Sequence, residues 1–230
     1  MTAGLGSVDR IFVGYERKQD LAYQVLVYSL RKHASRPLDI RPLELAALGL
    51  RRPFDPLAST EFTYTRFLVP ALCGFAGRAL YMDCDMLCLA DVTEVLDLDL
   101  RDHWLRVVHH DHRPTSTVKM DGRVQTAYPR KNWSSVMLLD CSKLTMWSVE
   151  NVETRSPQWL HRFEPIPDER IGELPPQWNV LDRYDADTKL IHYTDGGPWL
   201  PNRRAHPYGD VWFRYAKESG AELGTDDLRS

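Results

Sequence analysis

Two hydrophobic rhythms alternate along this chain. Arg10-Ile11-Phe12-Val13-Gly14-Tyr15-Glu16 is a short apolar run closed by a glycine and charges, and it predicts a buried strand over 10–16. Gly14 at its end is a place where backbone can approach a ligand closely. Ala22, Val25, Leu26, Ser29 and Leu30 then recur at helical spacing and predict a helix over 20–33. Asp20 at its start and Arg31-Lys32-His33 at its end suit the helix dipole. A second strand is predicted over 38–43, so the opening reads strand, helix, strand, as in nucleotide-binding α/β sheets. Ala79-Leu80-Tyr81-Met82 runs straight into Asp83-Cys84-Asp85, which predicts a central strand of a mostly parallel sheet, with 86–89 continuing extended.

Further strands are predicted over 105–112, 134–140 and 189–194. Helical spacing predicts helices over 61–72 (interrupted near Pro70), 91–96, 143–154, 157–163 and 208–218. Prolines break the chain at 51–59, 165–169 and 174–179. Residues 113–131 are polar and rich in turn formers, and a loop of that length in a compact domain is usually functional or mobile. No internal repeat or linker is visible, so the 230 residues predict a single α/β domain with a core over about 10–200, a closing helix and a loose tail from Ser219.

Composition narrows the class. With 43% hydrophobic residues the chain can bury a substantial core. A net charge of −3 and scattered basic residues describe no nucleic-acid surface. The four cysteines, Cys73, Cys84, Cys88 and Cys141, lie among apolar neighbours at spacings that match neither zinc nor thioredoxin motifs, so buried free thiols in a reducing cytosol are expected. The first ten residues carry no apolar leader, and no stretch approaches the roughly 18–20 apolar residues of a membrane helix. A soluble cytoplasmic protein is the expectation.

Chemistry enters at Asp83 and Asp85. Residues i and i+2 of an extended chain point the same way, so both carboxylates can aim at one point beyond the strand end, where open α/β sheets collect ligands. Hard oxygen ligands suit Mg²⁺ or Mn²⁺, and such an ion can hold a diphosphate. Aspartates at a strand end also serve as turn formers or helix caps, so the tripeptide alone leaves both readings open. His109-His110-Asp111-His112 invites a second metal, but alternation turns His109 away from His110, which favours contact with a polar substrate. Arg66 by itself reads as a surface salt-bridge partner.

Four blocks resemble glycosyltransferase family 8, the group that includes glycogenin and bacterial lipopolysaccharide galactosyltransferases. They are the opening over 11–33; Phe62-Thr63-Tyr64-Thr65-Arg66-Phe67-Leu68-Val69-Pro70 followed by the Asp83-Cys84-Asp85 strand; residues 132–140, similar to the family's Asn-Ala-Gly-Val-Met-Leu strand; and Leu174-Pro175-Pro176-Gln177-Trp178-Asn179 with His192-Tyr193 through Pro198-Trp199. The resemblance implies a GT-A fold and transfer of a sugar from a nucleotide-sugar, most often a UDP-sugar, bound with Mn²⁺ and with retention of anomeric configuration. It places the metal on Asp83, Asp85 and His192. Base and ribose are implied at Val13-Gly14-Tyr15, and donor contacts at Cys84 and Ser134. It gives Arg66 the diphosphate or a site carboxylate, Asp111 a donor or acceptor sugar, and Asp168-Glu169 the reacting sugar.

Three departures from the family pattern stand out. Gly197 occupies the place of a phosphate-neutralising lysine before Pro198-Trp199, which leaves Arg203 or Arg204 to supply charge and the Gly196-Gly197 backbone to bind phosphate. Trp133-Ser134-Ser135 replaces Asn-Ala-Gly, and glutamate replaces glutamine at 169. The basic, aromatic-rich extension that binds membranes in the lipopolysaccharide enzymes does not follow the last motif, which argues against a lipid-linked acceptor. Two alternatives stand beside this reading: a catalytically impaired nucleotide-sugar binding protein, and a sugar nucleotidyltransferase. The latter normally carries a Gly-rich basic loop where this chain has one glycine, Gly14.

Overall fold

The computed structural model describes residues 10–52, 55, 60–110 and 130–221. Nine strands are found among them. Six form one sheet: β1 (Arg10–Tyr15), β2 (Asp39–Glu44), β3 (Arg78–Met82), β5 (Leu105–Val107), β6 (Val136–Asp140) and β7 (Ile171–Glu173), in the order β2-β1-β3-β6-β5-β7. β1 pairs parallel with β2 and β3, β6 runs antiparallel to β3 and β5, and β7 is parallel to β5. A smaller sheet joins β4 (Met86–Cys88), β9 (Leu190–His192) and β8 (Val180–Leu181). The helices are α1 (Asp20–His33), α2 (Leu45–Leu48), α3 (Val69–Leu72), α4 (Thr93–Leu96), α5 (Val149–Thr154), α6 (Pro157–His161) and α7 (Gly209–Ser219).

Period-two alternation sorts the central strands between two cores. Ala79 and Tyr81 of β3, with Met137 and Leu139 of β6, face a cluster built around Phe67, Trp147 and Phe163. Leu80, Met82, Val136 and Leu138 face the opposite cluster, with Leu26 and Leu30 of α1 and Val95 of α4. A third cluster seats the small sheet: Leu87 and Ile191 pack with Val25 of α1 and with Trp212 and Tyr215 of α7. The chain passes from the large sheet to the small one within Asp83-Cys84-Asp85, between the end of β3 and the start of β4.

Several elements differ from expectation for local reasons. Residues 61–72 form two 3₁₀ turns, Glu61–Thr63 and Thr65–Leu68, before α3, because β-branched and aromatic residues fill the segment. Pro70 interrupts nothing, since it sits in the first turn of α3 where no N–H is required. The helix expected over 143–154 starts only at Val149, where the Ser148 hydroxyl accepts from the Asn151 N–H and caps it. β7 and β8 were not anticipated. The expected position of Asp111, the 113–131 loop as far as residue 129, and the tail beyond residue 221 lie outside the described residues.

Candidate active site

The register of the small sheet brings the distant histidine to the aspartates. Met86 is the antiparallel partner of His192, and the Tyr193 N–H donates to the Asp85 carbonyl at 2.9 Å. Asp83 is held by the large sheet, its N–H donating to the Ser135 carbonyl at 3.0 Å. One ligand atom from each of Asp83, Asp85 and His192 lies within 4.8 Å of the others, and no second such group occurs among the described residues. Asp83 and His192 are buried, and Asp85 nearly so.

Each side chain has a fixed support. The Tyr81 hydroxyl donates to Asp83 Oδ1 at 2.6 Å, and Arg66 Nη2 pairs with the same oxygen at 3.0 Å. Arg66 Nη1 also donates to the Ser134 carbonyl at 3.0 Å. Arg66 is therefore no surface ion-pair partner: it is only 7% exposed and orients a site carboxylate. His192 Nε2 lies 3.3 Å from Asp85 Oδ1, an oxygen with no hydrogen-bond partner, while His192 Nδ1 meets Asn179 Oδ1 at 2.9 Å.

Burial pushes the Asp83 carboxyl up, and this outweighs the attraction of Arg66. Burial acts the same way on Asp85, but His192 overcomes it and holds that carboxyl low. For His192 burial favours the neutral ring, yet the two aspartates prevail and raise its pKa. Two mutually repelling carboxylates and an imidazole, with one carboxylate oxygen (Asp85 Oδ1) lacking a hydrogen-bond partner, form a donor set that fits a hard to borderline divalent cation.

An open cleft of about 310 Å³ lies over this group. Lys18 and Gln19 from the β1–α1 connection line it, with Thr60, Asn132, Thr194, Asp195, Gly196 and Leu200. Lys18 Nζ is 3.3 Å from Glu16 Oε2, and Lys18 and Arg66 are the cations of the lining among the described residues. The Arg203 guanidinium instead braces the loop by donating to the Asp195 carbonyl at 2.8 Å. Lys18 and Gln19 were missed, although they follow a strand end directly, where α/β sheets bind ligands.

Val13 is fully buried, and the Tyr15 hydroxyl donates to Asp20 Oδ1 at 3.0 Å. A Cβ on Gly14 would come within 2.5 Å of the Phe62 ring and 2.7 Å of the Tyr81 hydroxyl, so this glycine makes room for their packing. Cys84 points into the core as a buried thiol, with its pKa raised by burial. All four cysteines are free and buried, as expected. Gly196 lines the cleft, and its N–H donates to the Tyr193 carbonyl at 3.0 Å. Gly197 is required because the Trp199 ring folds back to within 1.9 Å of where its Cβ would be. Asp168 and Glu169 precede the edge strand β7 outside the cleft lining, and Asp168 is exposed and paired with Arg130. His109 stacks on Trp133, with ring centroids 4.1 Å apart, and joins no metal group.

Ser134 stands behind Arg66, its Oγ 3.3 Å from Arg66 Nη1 and 3.2 Å from His161 Nδ1. Burial, together with Arg66 and Arg52, lowers the His161 pKa to about 3. Between that value and the ordinary histidine value near 6.5 the unfolded chain takes up a proton that the folded chain refuses. Stability is therefore complete above about pH 6.5 and falls as pH drops through this window. His161→Phe is expected to shrink the loss of urea midpoint between about pH 7 and about pH 4.5; an unchanged loss would assign it to other groups.

A Rossmann-like sheet whose central strand delivers two carboxylates to a histidine from an adjoining small sheet defines a GT-A glycosyltransferase. Solved structures carry the same fold. The galactosyltransferase LgtC, in complex with donor and acceptor sugar analogs, superposes with a TM-score of 0.62 at 15% identity over 91% of this chain and 95% of that one. The bifunctional glycosyltransferase WbbM gives 0.61 at 14% identity, over 94% of this chain and 53% of that one. In sequence, Protein CDI of Arabidopsis thaliana is 42% identical over 227 residues, 93% of this chain and 88% of that protein. The model of Glycosyl transferase family 8 matches residues 51–184. The chain belongs to glycosyl transferase family 8, and it is a glycosyltransferase that uses a nucleotide-sugar donor and an acceptor. No helix among the described residues is long and apolar enough to cross a membrane.

Proposed function

We propose that the enzyme transfers a sugar from a UDP-sugar, with retention of configuration, and that Asp83, Asp85 and His192 hold a divalent cation, Mn²⁺ in preference to Mg²⁺. The observation that carries this reading is the convergence of two carboxylates and an imidazole, ligand atoms within 4.8 Å of one another, with Asp85 Oδ1 lacking a hydrogen-bond partner. One imidazole among the ligands favours Mn²⁺ over Mg²⁺. Bound there, the cation supplies Lewis-acid stabilisation of the negative charge on the departing diphosphate. The remaining work falls to the chain itself. Arg66 and Tyr81 hold the Asp83 carboxylate in place. Lys18, which also lines the cleft, offers the positive charge that Gly197 does not. Asp111, Asp168 and Glu169 remain candidates for contact with the sugars, and the latter two would have to approach from outside the cleft lining.

The test is thermal unfolding of the protein with nucleoside diphosphates and nucleotide-sugars, each with and without Mn²⁺. A ligand that binds the native state raises Tm by mass action, by about 2.7 kcal/mol of stabilisation at a hundredfold excess over Kd. A rise with UDP or a UDP-sugar that requires Mn²⁺ is expected. A metal-independent rise, or a rise with another nucleotide only, would refute the assignment.

A further inference from the structure

The histidine of the site is backed by a chain of hydrogen bonds whose direction can be read from one end. The Ser135 hydroxyl lies 2.6 Å from the Asn132 carbonyl, and a carbonyl only accepts, so the single hydroxyl proton is committed there. Ser135 Oγ can then only accept from Asn179, 2.8 Å away, which makes the neighbouring Asn179 atom the amide nitrogen Nδ2. Asn179 Oδ1 is thereby turned to His192 Nδ1 at 2.9 Å, and His192 must carry a proton on Nδ1. The flipped alternative would bring the Ser135 and Asn132 oxygens to 2.6 Å with no proton between them. Asn132 starts the chain from a left-handed backbone conformation, φ 65°, which asparagine tolerates better than most residues. Ser135, Asn179 and His192 are each 3% exposed or less, so water does not compete for these bonds.

We infer that Asn179, polarised by Ser135, is a positioning residue that locks His192 in the Nδ1–H form and so presents the Nε2 lone pair to the cation. The inference rests on the metal reading above. It also gives a role to one departure from the family pattern: Ser135, standing where a glycine is usual, supplies the hydroxyl that fixes the amide. Nε2 lies 3.3 Å from Asp85 Oδ1, so loss of the Nε2 proton from the imidazolium leaves two lone pairs facing each other, a place for a cation. Ligating histidines commonly hand their second nitrogen to such an acceptor, and loss of the acceptor typically weakens metal affinity by about 10–100-fold.

Two readouts test this. The first is Mn²⁺ affinity, from the free-ion electron paramagnetic resonance signal, for wild type, Asn179→Leu and Asn179→Asp, with Tm measured alongside. Asn179→Leu is expected to bind Mn²⁺ about 10–100-fold more weakly. Asn179→Asp keeps an acceptor toward Nδ1, so it should bind Mn²⁺ at least as tightly as wild type while its Tm falls from the added buried charge. Affinity unchanged in Asn179→Leu, or lost equally in both variants, would overturn the inference. The second readout is the ¹⁵N spectrum of histidine-labelled, metal-free protein at about pH 9, with His192 assigned from His192→Gln. The Nδ1–H form is expected in wild type and not in Asn179→Leu; an Nε2–H form in wild type overturns the inference. If wild type binds no Mn²⁺, the metal reading fails by itself, and the nitrogen spectrum still decides the role of Asn179.

Discussion

Asp85→Ala is expected to abolish metal-dependent donor binding and to lower turnover by roughly a thousandfold or more, with the fold retained. The separation of the two effects follows from the position of the side chain. The bond that ties the small sheet to this residue runs from the Tyr193 N–H to the Asp85 carbonyl, and alanine keeps it. Asp85 Oδ1 has no hydrogen-bond partner, so its removal breaks no bond at that oxygen. His192 loses an anion 3.3 Å away, but it can revert to the neutral ring that burial favours. The remaining Asp83 also loses a like-charged neighbour, which relieves one cause of its raised pKa. Tm is accordingly expected to move by only a few degrees. Calorimetric titration of UDP-sugars with and without Mn²⁺ checks the first part, and thermal unfolding the second. Wild-type affinity with Mn²⁺ in this variant would remove Asp85 from the metal site.

What could be read before the structure was whatever a local pattern encodes. Helix α1 matches its predicted span of 20–33 because five buried positions recur on one face between an acidic start and a basic end. β3 and β6 were legible because uninterrupted apolar runs of that length fit only strands buried on both faces. Asp83 and Asp85 followed from β3. His192 was placed in the site by resemblance and not by pattern, since its approach depends on the register of β9 against β4. A three-residue strand such as β7, with Gly172 at its centre pressed against His103, carries no periodicity to detect. Asn179 lay in plain view beside a Pro-Pro turn, but its importance lies in a bond to a residue 13 positions away, and no spacing rule reports that. The exposed Asp168 shows the converse: a motif position that resembled a family site stands outside the cleft lining and pairs with Arg130.

Arg66→Ala carries the largest expected stability effect, about 3–5 kcal/mol, because it breaks a buried ion pair from one side. For a chain of this size that lowers Tm by roughly 6–20 °C. The guanidinium reaches Asp83 Oδ1 and the Ser134 carbonyl, each at 3.0 Å, and alanine leaves both without this donor. The loss should not stop at stability. Burial already pushes the Asp83 carboxyl up, and Arg66 is the strongest influence opposing it. Without Arg66 the carboxyl rises further toward the neutral acid, a poor ligand for a cation, so metal-dependent donor affinity should fall with Tm. Arg66→Lys is expected to recover only part of each, since an ammonium cannot span the carboxylate and the carbonyl as a planar fork does. A double-mutant cycle separates the contributions: in an Asp83→Asn background, Arg66→Ala should cost clearly less than in wild type, and equal costs would show that the ion pair is not what Arg66 contributes. Donor titration well below the lowered Tm completes the argument. Unchanged metal-dependent affinity in Arg66→Ala would confine this arginine to holding the fold, whereas a parallel loss means that the same guanidinium stabilises the sheet end and keeps Asp83 ionised for the cation.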